Sequence, residues 1–235
     1  MSWINGTVPA MERTAMERTE SGPIAAADLD IVPANQASWA DLRSVFGTTE
    51  CGRCYCQRFK TRGWFWGQAT DEQRRESLRA QANCGDPSDT AMTTGLVAYL
   101  TAPDADAREP VGYVAVEPRT EYPRLLGLPT VWKGRPGEDK HDDSVWAVTC
   151  FVVRRGYRGR GITYALAAAA VGYARENGAR ALEGYAMLTQ PGREITWGEL
   201  HVGARQVFAE AGFAEVSRPS VRRAVMRIDF DPDPA

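Results

Sequence analysis

The stretch Val145-Trp-Ala-Val-Thr-Cys-Phe-Val-Val153, Arg154-Arg-Gly-Tyr-Arg-Gly-Arg-Gly161, Ile162-Thr-Tyr-Ala-Leu-Ala-Ala-Ala-Ala-Val-Gly-Tyr-Ala-Arg-Glu-Asn177 decides how the rest of the chain is read. Its first part is apolar and rich in β-branched and aromatic residues, as a strand requires. A glycine-rich basic turn closes it, and an alanine-rich run follows, with a helix stop at Gly178. The order strand, loop, helix sets the loop at a helix N-terminus. There the first N–H groups lack intrahelical partners and sit at the positive end of the helix dipole, so they attract phosphate oxygens. Gly156, Gly159 and Gly161 permit close backbone approach and positive φ. Arg154, Arg155, Arg158 and Arg160 add cationic charge. The expectation is a pyrophosphate cradle; the alternative is a basic surface turn before an ordinary helix.

Spacing excludes two common cradles. No Gly-x-x-x-x-Gly-Lys-Ser/Thr occurs here, and Tyr164 stands where a Gly-x-Gly-x-x-Gly would end. The remaining pattern, Arg158-Gly159-Arg160-Gly161-Ile162-Thr163, resembles the Arg/Gln-x-x-Gly-x-Gly/Ala motif of the GNAT superfamily of N-acetyltransferases. Thr163 departs from the small last position but still supplies a backbone N–H. The resemblance spans roughly Asp28 to Phe230 and implies an α+β fold, with a mixed, mostly antiparallel central sheet flanked by helices. It also implies a splayed strand pair that binds acyl-CoA. On that model, peptide groups of Phe151, Val152 and Val153 pair with pantetheine, and the backbone of Arg158, Gly159, Arg160, Gly161, Ile162 and Thr163 holds the diphosphate of acetyl-CoA.

Composition narrows the classes of protein this can be. The chain has 235 residues and a formal charge of −2, which suits one domain of generous size and argues against nucleic acid as a partner. No apolar run is long enough for a membrane span, and the first residues are neither basic nor apolar enough for a secretory segment. Five cysteines, an odd number, suit a reducing compartment better than a disulfide framework. A cytoplasmic location is therefore expected.

Residues 1–27 read as a flexible leader, with Met11-Glu-Arg-Thr echoed at Met16-Glu-Arg-Thr, and 231–235 as a tail. The acetyltransferase-like domain is placed at 28–230. Within it, Leu29 to Val32 reads as a strand, and Trp39, Leu42 and Val45 or Phe46 as a helix stopped by Gly47. Cys51, Cys54 and Cys56 form a half-site for zinc, but only the isolated Cys84 is available for the other half. No metal is expected. Trp64, Phe65 and Trp66 could wall an acceptor pocket or join the core.

Gly95 to Leu100 and Pro110 to Glu117 read as a hairpin turning through Pro103, Asp104 and Asp106. The insertion at 118–144 separates it from the ligand-binding strand. Its acidic end, Glu138, Asp139, Asp142 and Asp143, would steer a cationic amine, unless the segment is simply a solvated loop. Ala181 to Met187 reads as a strand, Gly198 to Ala211 as one helix ending at Gly212-Phe213, and the last strand alternates through Ala224, Met226, Ile228 and Phe230. That strand could finish the sheet or pair across a homodimer.

Acetyl transfer to a lysine-like amine needs a base, since such an amine is protonated at neutral pH. Glu117 is the first candidate, with Glu183 and His201 behind it. In many members of the resembling family a tyrosine on the late helix protonates the departing thiolate. Phe208 stands at that position and cannot, so Tyr185 or Tyr164 is left to substitute, or the thiolate leaves unprotonated. Cys150 offers an acetyl-cysteine route, but no histidine or acid is near it in sequence, and direct transfer is preferred. The expected function is N-acetylation of a small primary amine, with a protein amine as the other acceptor class. The competing class is a non-catalytic acyl-CoA-binding module that senses thiols or metal.

Overall fold

The computed structural model describes residues 22–47, 53–85, 93–101, 108–189 and 195–230. The leader before residue 22, Cys51, the hairpin turn with Pro103, Asp104 and Asp106, and the tail at 231–235 lie outside them. Seven strands form one sheet: β1 (Leu29–Pro33), β2 (Leu96–Leu100), β3 (Glu109–Pro118), β4 (Val145–Val153), β5 (Ala181–Met187), β6 (Ala214–Ser220) and β7 (Arg223–Asp229). Their order is β1-β2-β3-β4-β5-β7-β6, and every pair is antiparallel except β4 with β5. The final strand β7 therefore lies inside the sheet, between β5 and β6, and β1 and β6 form the edges.

Alternation along β3 divides the core. Val114 and Val116 point to one face, where Ile162, Leu166, Ala170 and Ala174 of α6 (Ile162–Glu176) cover them. Tyr113 and Ala115 point to the other, covered by Leu42, Val45 and Phe46 of α1 (Trp39–Phe46). Ser38 caps α1, with its side chain accepting from the Asp41 N–H at 3.0 Å. The short α2 (Gly63–Trp66) precedes α3 (Asp71–Ala82), which opens on a Thr70/Gln73 capping box.

β4 carries a bulge. Ala115 pairs with Cys150 and Val116 with Val148, so Thr149 is the extra residue. The insertion shifts the alternation by one: Trp146 and Val148 share a face with Phe151, while Ala147, Cys150 and Val152 turn the other way. Beyond the bulge β4 loses β5. The parallel register runs from Val145↔Ala181 to Val148↔Gly184 and stops, leaving Thr149–Val153 and Tyr185–Met187 apart.

The 118–144 insertion is packed, not a solvated loop. It contains α4 (Pro123–Leu126) and α5 (Pro129–Trp132), and Tyr122, Leu125 and Val131 are buried against Ala147, Tyr185 and Val225. The late helix read from Gly198 to Ala211 is two short ones, α7 (Trp197–Leu200) and α8 (Arg205–Glu210). Gly203 divides them at φ +90°, where a Cβ would meet the rings of Phe208 and Phe151 at 2.7 and 2.8 Å. Among the described residues no helix is long and apolar enough to cross a membrane.

Candidate functional site

The loop after β4 turns through a 3₁₀ segment at Arg155–Tyr157 and enters α6 at Gly161, at φ +91°. No side chain caps this N-terminus, so its first amides are left for a ligand. Gly159, at φ +74°, has no atom within 4 Å of where a Cβ would stand. That cradle fits a phosphate group. The arginines contribute unequally: Arg154 pairs with Glu109 at 2.8 Å, and Arg160 donates to the Gly22 carbonyl at 3.0 Å. Residues 22–24 lie over the loop, with the Ile24 N–H donating to Arg160 O at 2.9 Å. Ile162 sends its side chain into the core and offers only its backbone.

A groove of about 150 Å³ runs from this loop along the splayed end of β4. Phe151, Val152, Val153, Arg158 and Thr163 line it, facing Leu200, His201, Gly203, Ala204 and Val207. The peptide edge expected to be open is engaged by the chain itself. The Phe151 N–H donates to the His201 carbonyl at 2.6 Å, and the Val153 carbonyl accepts from Arg158 Nε at 3.2 Å. On the β5 side the Met187 N–H donates to Gly203 O at 2.8 Å. The segment from His201 to Ala204 thus bridges the two strands where they part. A ligand that pairs with β4 there must exchange these bonds for its own.

On the other side of His201 lies a cavity of about 600 Å³, within the size range of small-molecule sites. Phe59, Trp66, Leu125, Leu128 and Val131 give it apolar walls, and Tyr185 and Val225 close its floor. Of the aromatic run only Trp66 reaches it; Trp64 and Phe65 are exposed at 76% and 59%.

His201 is the residue that lines both the groove and the cavity. Its Nδ1 lies 2.6 Å from the Gly198 carbonyl, which can only accept, so Nδ1 carries the proton. Nε2 is buried without a hydrogen-bond partner and keeps its lone pair. Burial lowers the imidazole below its ordinary 6.5, opposed by the Gly198 bond and reinforced by Arg223 and Arg58, so the ring is neutral at pH 7.

The other candidates are held differently. Glu117 is 6% exposed and does not line the groove or the cavity. Both its oxygens are occupied, by Lys60 at 2.7 Å, Thr94 Oγ1 at 2.8 Å and the Tyr122 hydroxyl at 3.1 Å. Burial raises its carboxyl, with Lys60, Thr94 and Tyr122 pulling the other way. Glu183, fully buried, is gripped by Arg135, by Arg227 at 2.8 Å and by Arg119 at 3.4 Å. Neither carboxylate lines the groove or the cavity. Tyr185 lines the cavity, but its hydroxyl donates to Glu183 at 3.0 Å, and burial followed by the Glu183 charge holds it well above its usual range.

Two of the four carboxylates at the acidic end of the insertion pair with arginines, and none of the four lines the cavity. Glu138 pairs with Arg119 at 2.7 Å, Arg227 at 3.3 Å and Arg135 at 3.5 Å, and Asp142 with Arg180 at 2.5 Å. Cys150 is buried on the α1 face in contact with Cys54 and Cys56, away from the groove. Burial raises the Cys56 thiol, and the Cys150 contact and burial raise that of Cys54. Among the described residues no group of three or more His, Cys, Asp or Glu side chains could hold a metal ion.

Sequence reasoning did not single out Arg58, Arg124 and Arg223, which also line the cavity. They come from the loop after Cys56, from α4 and from the start of β7, and no spacing links them.

The chain thus combines a parallel strand pair that parts with a glycine-rich, uncapped helix N-terminus. Residues 59–191 match the model of the acetyltransferase (GNAT) family, and the chain belongs to that family, whose donor is acetyl-CoA. No curated protein sequence matches it significantly. Among solved structures it is similar to a GCN5-related N-acetyltransferase from Kribbella flavida, with 16% identity over 88% of this chain and 100% of that one, TM-score 0.48. It is also similar to PaiA N-acetyltransferase from Thermoplasma acidophilum in complex with coenzyme A, with 12% identity, 86% and 99% coverage and TM-score 0.47. A GNAT-family acetyltransferase from Bacillus anthracis shares 10% identity over 86% and 95%, TM-score 0.47.

Proposed function

We propose that the protein transfers the acetyl group of acetyl-CoA directly to a primary amine on a small molecule, with His201 as the proton carrier. The observation that carries this reading is the place of His201 between groove and cavity, with a neutral ring and an unpartnered Nε2. The uncapped N-terminus of α6 and Arg158 would hold the diphosphate, and the groove would take the thioester arm. Acetyl-CoA supplies an activated acyl carbon.

The amine enters from the cavity after losing one proton to solvent, and its entry has to uncover Nε2, which is buried in the free protein. As its nitrogen bonds to the acyl carbon, its second proton passes to Nε2 of His201 and the carbon–sulfur bond breaks. The imidazolium, bordering the groove as well, then returns that proton to the thiolate. One residue thus serves as base and acid, which removes the need for a tyrosine at position 208. Cys150 is absent from this scheme because it is buried away from both spaces.

The bond between Phe151 N–H and His201 O favours a second reading, in which the chain binds acyl-CoA without turnover because its donor edge is filled. Thiol release from acetyl-CoA against a panel of small primary amines separates the two. Amine-dependent release, lost in His201→Asn, supports transfer. Tight acetyl-CoA binding with no release from any amine supports the binding module.

A further inference from the structure

The cavity beside His201 gathers positive charge against a single lining carboxylate. Arg58, Arg124 and Arg223 all line it, each half-buried, and none of them forms an ion pair with a described residue. Nearby arginines differ: Arg222 pairs with Glu199 at 2.6 Å and Arg227 with Glu183 at 2.8 Å. Glu199 is the one carboxylate among the lining residues, and it is committed to Arg222 and to the capping box with Thr196. Burial lowers Arg58, with Arg124 adding repulsion and Cys54 opposing it, and the group lies over the Trp66 ring at 5.1 Å; burial lowers Arg223, with Arg222 adding repulsion and Glu199 opposing it. Half-buried guanidinium groups that repel their neighbours are relieved by a bound anion, and their planar forks match a carboxylate. Across from them the walls are apolar, with Phe59, Leu125 and Leu128.

We infer that the acceptor is an anionic amine: a primary amine that also carries a carboxylate and an apolar body, its carboxylate held by Arg58, Arg124 and Arg223 and its nitrogen presented to His201. This rests on the transfer reading above and reverses the cationic acceptor implied by the acidic insertion. The arrangement also aids the chemistry, because a cationic wall disfavours the ammonium form of the incoming amine.

The test uses matched pairs that differ by the carboxylate: leucine and isopentylamine, phenylalanine and 2-phenylethylamine, tryptophan and tryptamine. Thiol release from acetyl-CoA gives kcat/KM for each, and calorimetry gives binding independently of turnover. The carboxylated member should exceed its partner about tenfold or more, as charge-assisted bonds to a desolvated anion provide. Arg124→Gln and Arg223→Gln should each move that ratio toward one, and the lysine variants should recover part of it, since charge remains while the fork is lost. Two separate arginines guard against a folding defect in either variant, which its melting temperature would reveal. The inference is overturned if the decarboxylated amines are equal or better substrates, or if the ratio ignores both substitutions. Carboxylated amines that bind without releasing thiol would remove the transfer reading and leave the anion site standing. Acetylation of decarboxylated amines alone would do the reverse. If no pair binds or reacts, the anion site falls.

Discussion

The Phe151 N–H donates to the carbonyl of His201 at 2.6 Å, fastening the proposed proton carrier to the strand that lines the groove. A ligand arm that pairs with β4 displaces this bond, whereas Nδ1–H to Gly198 O lies outside that exchange and still orients the ring. Preorganisation of this kind keeps a base within reach of its proton.

Replacing His201 with asparagine should lower kcat/KM by about a hundredfold or more while leaving acetyl-CoA binding measurable. In the wild type the acid limb of the pH profile should lie below 6.5, because burial lowers the ring, and it should vanish in the variant. The same shift has a sign for stability. The unfolded chain takes up the proton first as pH falls, so the contribution of His201 is intact above 6.5 and is lost as pH drops through the lower folded value. An unchanged acid limb in His201→Asn would assign the titration to another group.

Gly161 starts α6 at φ +91°, a conformation that a β-branched residue does not tolerate. Gly161→Val should therefore turn the uncapped amides away from a diphosphate. At a hundredfold excess over Kd, acetyl-CoA should stabilise the wild type by about 2.7 kcal/mol, a melting shift of about 5–10 °C at this chain length. The variant should lose that shift. No shift in the wild type would remove the loop as the donor site.

The strand-loop-helix unit was legible because local patterns define it: an apolar run, glycines at a turn, alanines in a helix. The break at Gly203 was not, since Leu200, Val207 and Phe208 keep helical spacing across it and only tertiary contacts with Phe151 and Met187 pull the backbone out. The pairing of the acidic run at 138–143 was hidden for a similar reason. Arg119, Arg180 and Arg227, which pair with Glu138 and Asp142, lie in elements remote in sequence, so part of the charge that looks unopposed along the chain is paired in space. Arg58, Arg124 and Arg223 invert that case, converging from three elements with no local signal.

Glu117 and Lys60 form a buried pair, each side chain 8% exposed. Lys60→Met should cost about 3–5 kcal/mol, because it strands a carboxylate away from water. Adding Glu117→Gln should recover much of this loss, since the amide removes the charge and still accepts from Thr94 and Tyr122. Glu117→Gln alone should leave kcat/KM within about threefold, as suits a residue outside the cavity. Denaturant melts of the single and double variants measure the coupling. A large loss of kcat in a stably folded Glu117→Gln would restore Glu117 as a base.

Phe208 fills the space that Gly184 leaves on β5: a Cβ there would lie 2.2 Å from Cε1 of the ring. The ring also stacks edge-on with Phe151 at 5.8 Å and Phe213 at 5.2 Å, fully buried. Position 208 therefore serves as packing beneath the splayed strands and not as an acid. Gly184→Ala should destabilise the protein by about 1–3 kcal/mol through overpacking. In a Phe208→Leu background the same substitution should cost less, because the smaller side chain vacates the ring edge, giving a favourable coupling in the double-mutant cycle. Equal costs in both backgrounds would mean that Phe208 is not what keeps position 184 a glycine.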